Sequence, residues 1–503
     1  MTVSGGGPVG LTFALLLESL LGPRVAITIY DARWADDGSR VVWKSDDHGN
    51  IRRQQVVTIQ SRHFLKLPQE IQDQLFQPGQ FSEMWPTGPD SIDGLGPRNV
   101  RIAHIEDSLL EKANEKAAHI RLVPRRFDPA SPSGVPPVQH VLAICEGSRS
   151  DQEGSLKYFE RYFGTADRSI FSLDGQPVRD VVLGLKVKSD LSDAAAVLLT
   201  VTQNRFLLNS VHGDGFLNMR LTDAEADELA SANLDGTAYP GCIQTKSCVF
   251  QRTSEPGVFK CAKHGTVFSP PTQLRSSLWA RTLEGLKLFG VKEENLQSIT
   301  AFRLSMVQRP RFSAELCAAT PTGPATFGFL LGDTANAVHF WPGRGLNGGL
   351  ASAIALARCL KNRWRGLPFR DSDFLRHEAA MAMLQYRHKC RAWRFMVHAD
   401  DHGVYRAIKD LIGDTAVDAV EPEAVRQADM ERLLRRMGQF RERLAQRIEG
   451  LPSDEWLRTH LSGLQSRTLR ELVESGAWDS YGGGGEEVEV DWLLGEPCQS
   501  HPP

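Results

Sequence analysis

Three glycines near the start of the chain have the spacing of a phosphate-binding turn. Gly5, Gly7 and Gly10 form G-x-G-x-x-G between a short apolar strand and an apolar run. Glycine suits these positions because a side chain would block the tight bend, the approach of a pyrophosphate and the packing of helix on strand. Asp31 follows about 20 residues later, the spacing at which a carboxylate reaches a ribose hydroxyl. The start of the chain therefore predicts a dinucleotide site.

A second glycine-rich segment, preceded by an aspartate, lies far along the chain. It reads Gly332-Asp333-Thr334-Ala335 and then Pro342-Gly343-Arg344-Gly345-Leu346-Asn347-Gly348-Gly349. A predicted helix of small residues follows it, and the free N–H groups at such a helix start stabilise negative charge. A third segment, Cys145-Glu146-Gly147-Ser148-Arg149-Ser150, follows a predicted strand.

These three segments, taken together and in this order, resemble single-component FAD-dependent monooxygenases. This is the aromatic-hydroxylase family (group A), which also includes the flavin domain of MICAL proteins. The second segment is similar to the family's GD-x-A … P-x-x-G-x-G-x-N-x-G pattern. The third is similar to its A-D-G-x-x-S pattern, with Glu146 in the place of the aspartate.

The resemblance implies roles for individual residues. Asp333 would bind the ribityl chain of FAD, and the helix start would face the pyrimidine side of the isoalloxazine through Gly343, Gly345, Leu346 and Asn347. Arg53 corresponds to an arginine near the flavin in MICAL-like relatives, and Arg52 is the competing choice.

The resemblance and the sequence pattern together predict a fold, and the resemblance implies a reaction. We expect an α/β protein with a Rossmann-like FAD-binding domain of the GR2 type (residues 1–165 and 316–365), an antiparallel-sheet substrate domain (166–315) and a helical C-terminal module (366–503). NAD(P)H would reduce FAD, and O2 would then form a flavin C4a-hydroperoxide that oxygenates an aromatic ring or an amine nitrogen. A MICAL-like flavoprotein that oxidises or binds a protein partner stays open as the alternative. A single dinucleotide fingerprint gives no sign of a second nucleotide domain.

Two pairs of residues are candidates for the reaction site. Arg309 and Arg311 are two residues apart, so on an extended strand they would share a face and suit a carboxylate or phosphate. Exposed sheet arginines, or arginines that hold cofactor phosphates, are equally open interpretations. Phe340 and Trp341 precede the second glycine turn, where they would stack beside the flavin or simply pack in the core.

Hydrophobic periodicity predicts the elements that position these residues. The predicted helices are residues 9–21, 107–118 and 346–360. Strands that alternate with them are predicted at 25–30, 56–59, 120–123, 138–144 and 326–331. A run of antiparallel strands is predicted at 181–187, 195–202, 205–211 and 215–221.

Composition narrows the classes of ligand. The 58 Lys and Arg against 61 Asp and Glu give a net charge of −3, which favours neither nucleic acid nor an anionic membrane. We expect a cytoplasmic monomer or homodimer that binds a small-molecule substrate and has no contact with a membrane.

The eight cysteines are predicted to be free thiols, as is usual in a reducing compartment. Cys242, Cys248, Cys261 and His264 have the residue types of a zinc site. However, the gap between the first two is wider than the spacing of a chelating knuckle. The sequence therefore predicts unconnected residues and no metal site.

Overall fold

A computed structural model describes most of the chain. The described residues are 1–45, 52–83, 97–130, 141–147, 154–167, 171–231, 233–234, 237–238, 242, 248–274, 276–303, 307–321, 323–337, 344–364, 368–399, 402–415, 422–445 and 448–478.

The strands and helices are numbered here in chain order. The strands are β1 Thr2–Ser4, β2 Ile27–Tyr30, β3 Trp34–Asp36, β4 Val41–Trp43, β5 Val56–Ile59, β6 Phe81–Glu83, β7 Arg98–Arg101, β8 Ile120–Val123, β9 Val141–Ile144, β10 Ser172–Leu173, β11 Gln176–Pro177, β12 Val181–Lys188, β13 Phe206–Val211, β14 Asp214–Leu221, β15 Asn233–Leu234, β16 Thr237–Ala238, β17 Val249–Arg252, β18 Phe259–Cys261, β19 Val267–Phe268, β20 Leu296–Arg303, β21 Ser313–Cys317, β22 Thr326–Leu330, β23 Val397–Ala399 and β24 Tyr405–Ala407. The helices are α1 Pro8–Leu21, α2 Ser61–Phe64, α3 Gln69–Leu75, α4 Ile102–Glu115, α5 Ser155–Phe163, α6 Asp193–Val201, α7 Asp223–Ser231, α8 Pro270–Gln273, α9 Ser276–Leu288, α10 Arg344–Arg363, α11 Leu375–Met396, α12 Ile408–Asp414, α13 Glu423–Leu444, α14 Asp454–Ser462 and α15 Ser466–Glu474.

The first sheet has six strands in the order β21-β22-β9-β1-β2-β8, and all of them except β21 are parallel. The chain adds β2 and β8 on one side of β1, and later β9 and β22 on the other side. Such a reversal of strand order leaves a crevice at the carboxyl ends of the strands, where open α/β sheets bind their ligands. The parallel part of the predicted fold is therefore confirmed.

The second sheet is antiparallel and has seven strands in the order β13-β14-β12-β20-β17-β18-β19. Its long central strand β12 pairs with β14 on one side and β20 on the other. The predicted strands at 181–187, 205–211 and 215–221 are confirmed here, as β12, β13 and β14.

One predicted strand is wrong. Of the predicted strand 195–202, residues 195–201 lie in helix α6 and Thr202 is its C-cap, so none of it lies in the sheet. Ser192 caps this helix, because its hydroxyl accepts a hydrogen bond from the Ala195 N–H at 3.2 Å. Three successive alanines follow Asp193, and alanine has a high helix propensity and a low strand propensity. This preference for helix is stronger than the preference for strand of the apolar run that comes next.

Two large apolar cores underlie the two sheets. The first contains β1, β2, β9 and β22 together with α1 and α10. The second joins the antiparallel sheet to helices α13, α14 and α15. Helix α11 reaches from the first core, through Met381 and Leu384, to a smaller cluster around Met396. Helix α11 therefore packs into the core of the parallel sheet, and helices α13, α14 and α15 pack into the core of the antiparallel sheet.

Candidate functional site

The chemistry-bearing segments follow four neighbouring strands at the same edge of the parallel sheet. The strand register aligns Ser4 of β1 with Tyr30 of β2 and Ile144 of β9, and aligns Ile144 with Leu330 of β22. The chain then continues from these strands into the first glycine turn, Asp31, the Cys145 segment and Gly332-Asp333. The first glycine turn, Asp31, the described start of the Cys145 segment and Gly332-Asp333 therefore meet at one edge.

The first glycine turn is enforced by close backbone approaches. A Cβ atom on Gly5, whose φ is +103°, would lie 2.5 Å from the Cys145 carbonyl oxygen. One on Gly10 would lie 2.0 Å from the Gly5 carbonyl oxygen. Gly7 is the N-cap of α1 and supplies no capping side chain, and Pro8 follows it. The N–H groups of the first helical turn are thus left for an anionic ligand.

The Asp31 carboxylate is already engaged within the protein. It accepts hydrogen bonds from the Gly6 N–H at 2.9 Å and from the Arg33 Nη2 at 2.7 Å, with Nε of Arg33 at 3.1 Å. Arg33 also donates to buried Glu106 at 2.9 Å. Its Nη2 would lie 3.3 Å from a Cβ on Gly7, so this guanidinium borders the phosphate turn. Sequence reasoning missed Arg33, although its place two residues after the acid was a usable signal.

The two glycine turns are packed against each other through Val9 of α1. A Cβ atom on Gly349 of α10 would lie 2.4 Å from Cγ2 of Val9. One on Gly332, whose φ is +61°, would lie 3.1 Å from the same methyl carbon. Because Val9 directly follows the first turn, the missing side chains bring the two ends of the predicted nucleotide site together.

Asp333 faces the start of α10. Its Oδ1 would lie 3.0 Å from a Cβ on Gly345, so a side chain there would crowd this carboxylate at the helix start. Burial raises the pKa of Asp333, and the positive charge of Arg53 opposes that shift. Leu346 is half-buried beside Gly345. Gly343 lies outside the described residues.

Arg52 and Arg53, the two candidates for the arginine near the flavin, have different surroundings. Arg52 pairs with Glu106 at 3.4 Å and with Asp107 at 2.9 Å, and its guanidinium lies over the Trp43 ring. Arg53 is exposed, and its charge acts on Asp333.

Asn347 uses its side chain within the protein. The buried amide donates to the Thr58 carbonyl oxygen at 2.7 Å and accepts from the Gln60 N–H at 2.9 Å. His63 Nδ1 lies 3.1 Å from the same amide oxygen. These contacts attach the start of α10 to β5. Because the side chain of Asn347 is used in them, its backbone is the part that would contact a cofactor.

The third segment is tied to the GD segment. Thr334 Oγ1 accepts a hydrogen bond from the Gly147 N–H at 2.9 Å. Glu146 instead turns toward α5, where its carboxylate accepts from Ser155 Oγ at 2.6 Å and from the Ser155 N–H at 3.1 Å. The glutamate that stands in the place of the family's aspartate therefore caps a helix start.

The interpretation of Arg309 and Arg311 as a pair on one strand face is wrong. The described residues around them, 307–312, hold only an isolated bridge between Gln308 and Asp167. Arg309 is 2% exposed, whereas Arg311 is exposed. Arg309 Nε donates to the Thr334 carbonyl oxygen at 3.0 Å, so its side chain supports the GD segment. Phe340 and Trp341 lie outside the described residues.

The prediction that the cysteines and His264 are unconnected is also wrong. Ligand atoms of Cys242, Cys248, Cys261 and His264 all lie within 4.8 Å of one another. Burial, together with the neighbouring Cys261 and Cys242, raises the pKa of Cys248 to about 12. Spacing alone missed this cluster because the fold, and not a local knuckle, brings Cys242 to the other three.

A cavity of about 620 Å³ lies elsewhere, among α11, α12, α13 and the segment after α15. Its lining includes Arg394, Arg406, Arg432 and Arg436, and none of its lining residues belongs to a glycine turn. No helix in the described part of the chain combines the length and the apolar character needed to cross a bilayer.

The site fits a flavin dinucleotide. Two helix starts, two close-packed glycine turns and the Asp333 carboxylate lie along one sheet edge, where they can bind a pyrophosphate, a ribityl hydroxyl and the electron-rich edge of a flavin. The gap left by the missing Cβ atom of Gly345 is the observation that carries this fit, because a side chain there would press on Asp333.

No model of a protein family matches the chain, and no curated protein does. Similar solved structures include the Diels-Alderase PyrE3 of pyrroindomycin biosynthesis, at 14% identity and a TM-score of 0.43 over 92% of this chain and 80% of that one. The rebeccamycin biosynthetic enzyme RebC has 14% identity and a TM-score of 0.45 over 88% and 73%. CmlS, a flavin-dependent halogenase, has 13% identity and a TM-score of 0.46 over 92% and 75%. At such low scores, function is inferred from the geometry of the site and not from these similarities.

Proposed function

We propose that the protein is an FAD-dependent monooxygenase that uses NAD(P)H and O2 to oxygenate a small molecule, at an aromatic ring or an amine nitrogen. The observation that carries the proposal is the junction of the two glycine turns at Val9, with Asp333 held open beside Gly345. The family resemblance of the same segments supplies the reaction class. The protein acts as a monomer or homodimer in this proposal.

The residues of the site divide the work of binding. The N–H groups that follow Gly7 hold the pyrophosphate, since Gly7 leaves the helix start uncapped. Asp31 reaches the ribose once the Arg33 guanidinium moves aside from it, and Arg33 then lies next to the phosphates. Asp333 accepts hydrogen bonds from ribityl hydroxyls, and Arg53 adds a positive charge near it.

Bound FAD would supply the redox chemistry, taking a hydride equivalent from NAD(P)H and activating O2. The protein orients that group and excludes water around it. Arg309 is a positioning residue, because its guanidinium holds the Thr334 carbonyl directly after Asp333 and does not face solvent. The N-terminal end of α10 provides the positive dipole that favours negative charge on the pyrimidine edge.

Turnover tests the reaction class. Purified, flavin-loaded protein is incubated with NADH or NADPH and a panel of aromatic acids, phenols and amino acids. We expect one class to accelerate NAD(P)H oxidation and to gain the mass of one oxygen atom. Acceleration by an added protein alone would favour the MICAL-like alternative. A loaded protein that consumes no NAD(P)H with any member of the panel would contradict the proposal.

Asp333→Ala tests the cofactor site without requiring a known substrate. Loss of a hydrogen bond to a charged group costs about 1.5–3 kcal/mol, which weakens FAD binding roughly 10- to 150-fold. FAD titration followed by flavin fluorescence measures this. Asp73→Ala is the matched control, because this exposed carboxylate of α3 contacts only Gln69 among the hydrogen bonds of the described residues. Equal FAD affinity in both variants would remove Asp333 from the site.

A further inference from the structure

Three cysteines and one histidine converge at the edge of the antiparallel sheet. Cys261 ends β18, His264 lies in the turn to β19, and Cys248 immediately precedes β17. Cys242 comes from the segment before β17, and its carbonyl oxygen accepts a hydrogen bond from the Cys248 N–H at 2.7 Å. The three cysteines are buried and His264 is exposed, so the cluster lies just beneath the surface.

The separations match the edges of a tetrahedron around a metal ion. Bonds of about 2.3 Å to sulfur and about 2.0–2.1 Å to nitrogen give tetrahedral edges of about 3.8 Å between sulfurs and about 3.5 Å from sulfur to nitrogen. The Sγ atoms of Cys242 and Cys261 are 4.0 Å apart. His264 Nδ1 lies 3.4 Å from Sγ of Cys242, 3.4 Å from Sγ of Cys248 and 3.5 Å from Sγ of Cys261.

The β18–β19 hairpin presents its two ligands in a shape suited to metal binding. The His264 N–H donates to Sγ of Cys261 at 3.4 Å, and an N–H donor favours the thiolate form that a metal requires. Gly265 follows with φ of +72°, which allows the tight reversal, and its N–H donates to the Cys261 carbonyl oxygen at 2.9 Å. The separation of the sulfurs is about twice that of a disulfide bond, about 2.05 Å.

We propose that Cys242, Cys248, Cys261 and His264 bind one Zn²⁺ ion as a structural site. Three thiolates and one imidazole in tetrahedral arrangement are a ligand set that zinc prefers. With four protein ligands the coordination is closed, so the ion binds no substrate and takes no part in turnover. This site is separate from the flavin site, which lies at the edge of the other sheet.

The ion has a clear structural task. Strands β17, β18 and β19 have four, three and two residues and form one end of the seven-stranded sheet. Strands this short contribute few ladder hydrogen bonds, so such an edge needs another constraint. Zinc would join the start of β17, the end of β18 and the following turn to Cys242, and so close this end of the sheet.

Metal analysis of the native chain tests the proposal directly. The full chain is purified without chelator or added metal and analysed by mass spectrometry of its metals. We expect about one zinc per chain, released when a thiol-blocking mercurial is added. Replacement by Co²⁺ should give the visible absorption and the sulfur-to-metal charge transfer of a tetrahedral thiolate site. Metal-free chains that bind neither ion, a stoichiometric metal other than zinc, or a Cys242–Cys261 disulfide in the native chain would each overturn it.

Variants separate metal binding from packing. In Cys261→Ala the zinc content per chain should fall at least tenfold and the melting temperature should fall by several degrees. In His264→Cys the zinc content should stay the same, because the new cysteine supplies a fourth thiolate. Cys317→Ala is the matched control, since Cys317 is exposed and outside the cluster. FAD content per folded chain should be the same in all three variants. Full zinc content in Cys261→Ala, or loss of zinc in Cys317→Ala, would contradict the assignment.

Discussion

At the proposed flavin site, several glycines stand at positions that leave no room for a Cβ atom. Gly10, Gly345 and Gly349 each stand where a Cβ atom would meet another segment at 3.0 Å or less. The sequence predicted these positions because the spacing of the glycines marks where a backbone or a side chain packs directly against the chain, as the Gly5 carbonyl oxygen, Oδ1 of Asp333 and Cγ2 of Val9 do here. It could not predict the fate of Arg309, since an Arg-x-Arg pattern does not reveal that one side chain is buried under the GD segment while the other is exposed.

Gly349→Ala tests the contact between the two turns. The new methyl group would lie 2.4 Å from Cγ2 of Val9, and β-branched Val9 has little freedom to move away. We expect a loss of about 1–3 kcal/mol in the free energy of unfolding, as for other overpacked sites, together with weaker FAD retention. Urea unfolding and flavin fluorescence measure both quantities.

Gly438→Ala is the matched control for that variant. Gly438 lies within α13, and a Cβ atom there would meet nothing within 4 Å. Alanine should therefore raise the free energy of unfolding by about 0.5–1 kcal/mol through helix propensity. Two variants of equal stability would mean that the packing of Gly349 against Val9 is not as tight as described.

His377 should make stability depend on pH. Its ring is fully buried on α11 against Phe329, neither ring nitrogen has a hydrogen-bond partner among the described residues, and burial lowers its pKa to about 3. The unfolded chain takes up this proton near pH 6.5, so the contribution is constant above that pH. Below it, stability falls by about 1.4 kcal/mol per pH unit toward pH 3.

His377→Leu should remove that slope. Urea unfolding at pH 6.5 and pH 4.5 is compared between wild type and variant, because other groups titrate in both. Between pH 6.5 and pH 4.5, we expect the free energy of unfolding of the variant to fall by about 2–3 kcal/mol less than that of the wild type. His398→Gln, at an exposed histidine, should keep the wild-type slope. An unchanged slope in His377→Leu would mean that the buried ring does not stay neutral.

At the scale of elements, buried charge joins the C-terminal helices to the antiparallel sheet. Arg205, directly before β13, is 0% exposed and pairs with Glu471 of α15 at 3.2 Å and with Glu225 of α7 at 2.6 Å. The sequence predicted a helical C-terminal module over residues 366–503. It could not show that α15 inserts a carboxylate into the sheet's core, because the partner arginine lies far away in the chain.

Glu471→Gln should therefore destabilise the fold strongly. The substitution removes the buried carboxylate that pairs with Arg205, Arg281 and Arg467, and it leaves Arg205 with Glu225 as its remaining ion-pair partner among the described residues. Breaking a buried ionic contact in this way costs about 3–5 kcal/mol. Glu431→Gln is the matched control, because Glu431 pairs with Arg458 at 2.6 Å where both side chains are about half exposed. Its loss should cost less than about 1 kcal/mol. Similar midpoints of urea unfolding for the two variants would count against a buried ionic link.

At the scale of the whole molecule, sequence patterns predicted the individual strands, helices and turns but not the contacts between them. The parallel strands, α1, α10 and the order of the motifs were predicted, because strand and helix periods and glycine turns are written in short windows of sequence. The four-residue Cys and His cluster and the sharing of α13, α14 and α15 with the second sheet were not. The helix contacts join segments that are far apart in the chain, and the cluster depends on how β17 and β18 pair to bring Cys242 and Cys248 to Cys261 and His264. A local signal was also missed: the strand predicted at 195–202 followed the apolar run, although Ser192 before it is the N-cap of helix α6.

The proposed function requires one flavin between the two glycine turns, and the cofactor content of the purified chain measures this most directly. The native protein is denatured, and the released compound is identified by mass and quantified by absorbance per chain, before and after incubation with FAD. We predict one non-covalently bound FAD per chain, or saturation to that ratio on reconstitution. Folded, colourless protein that takes up no FAD would contradict the account.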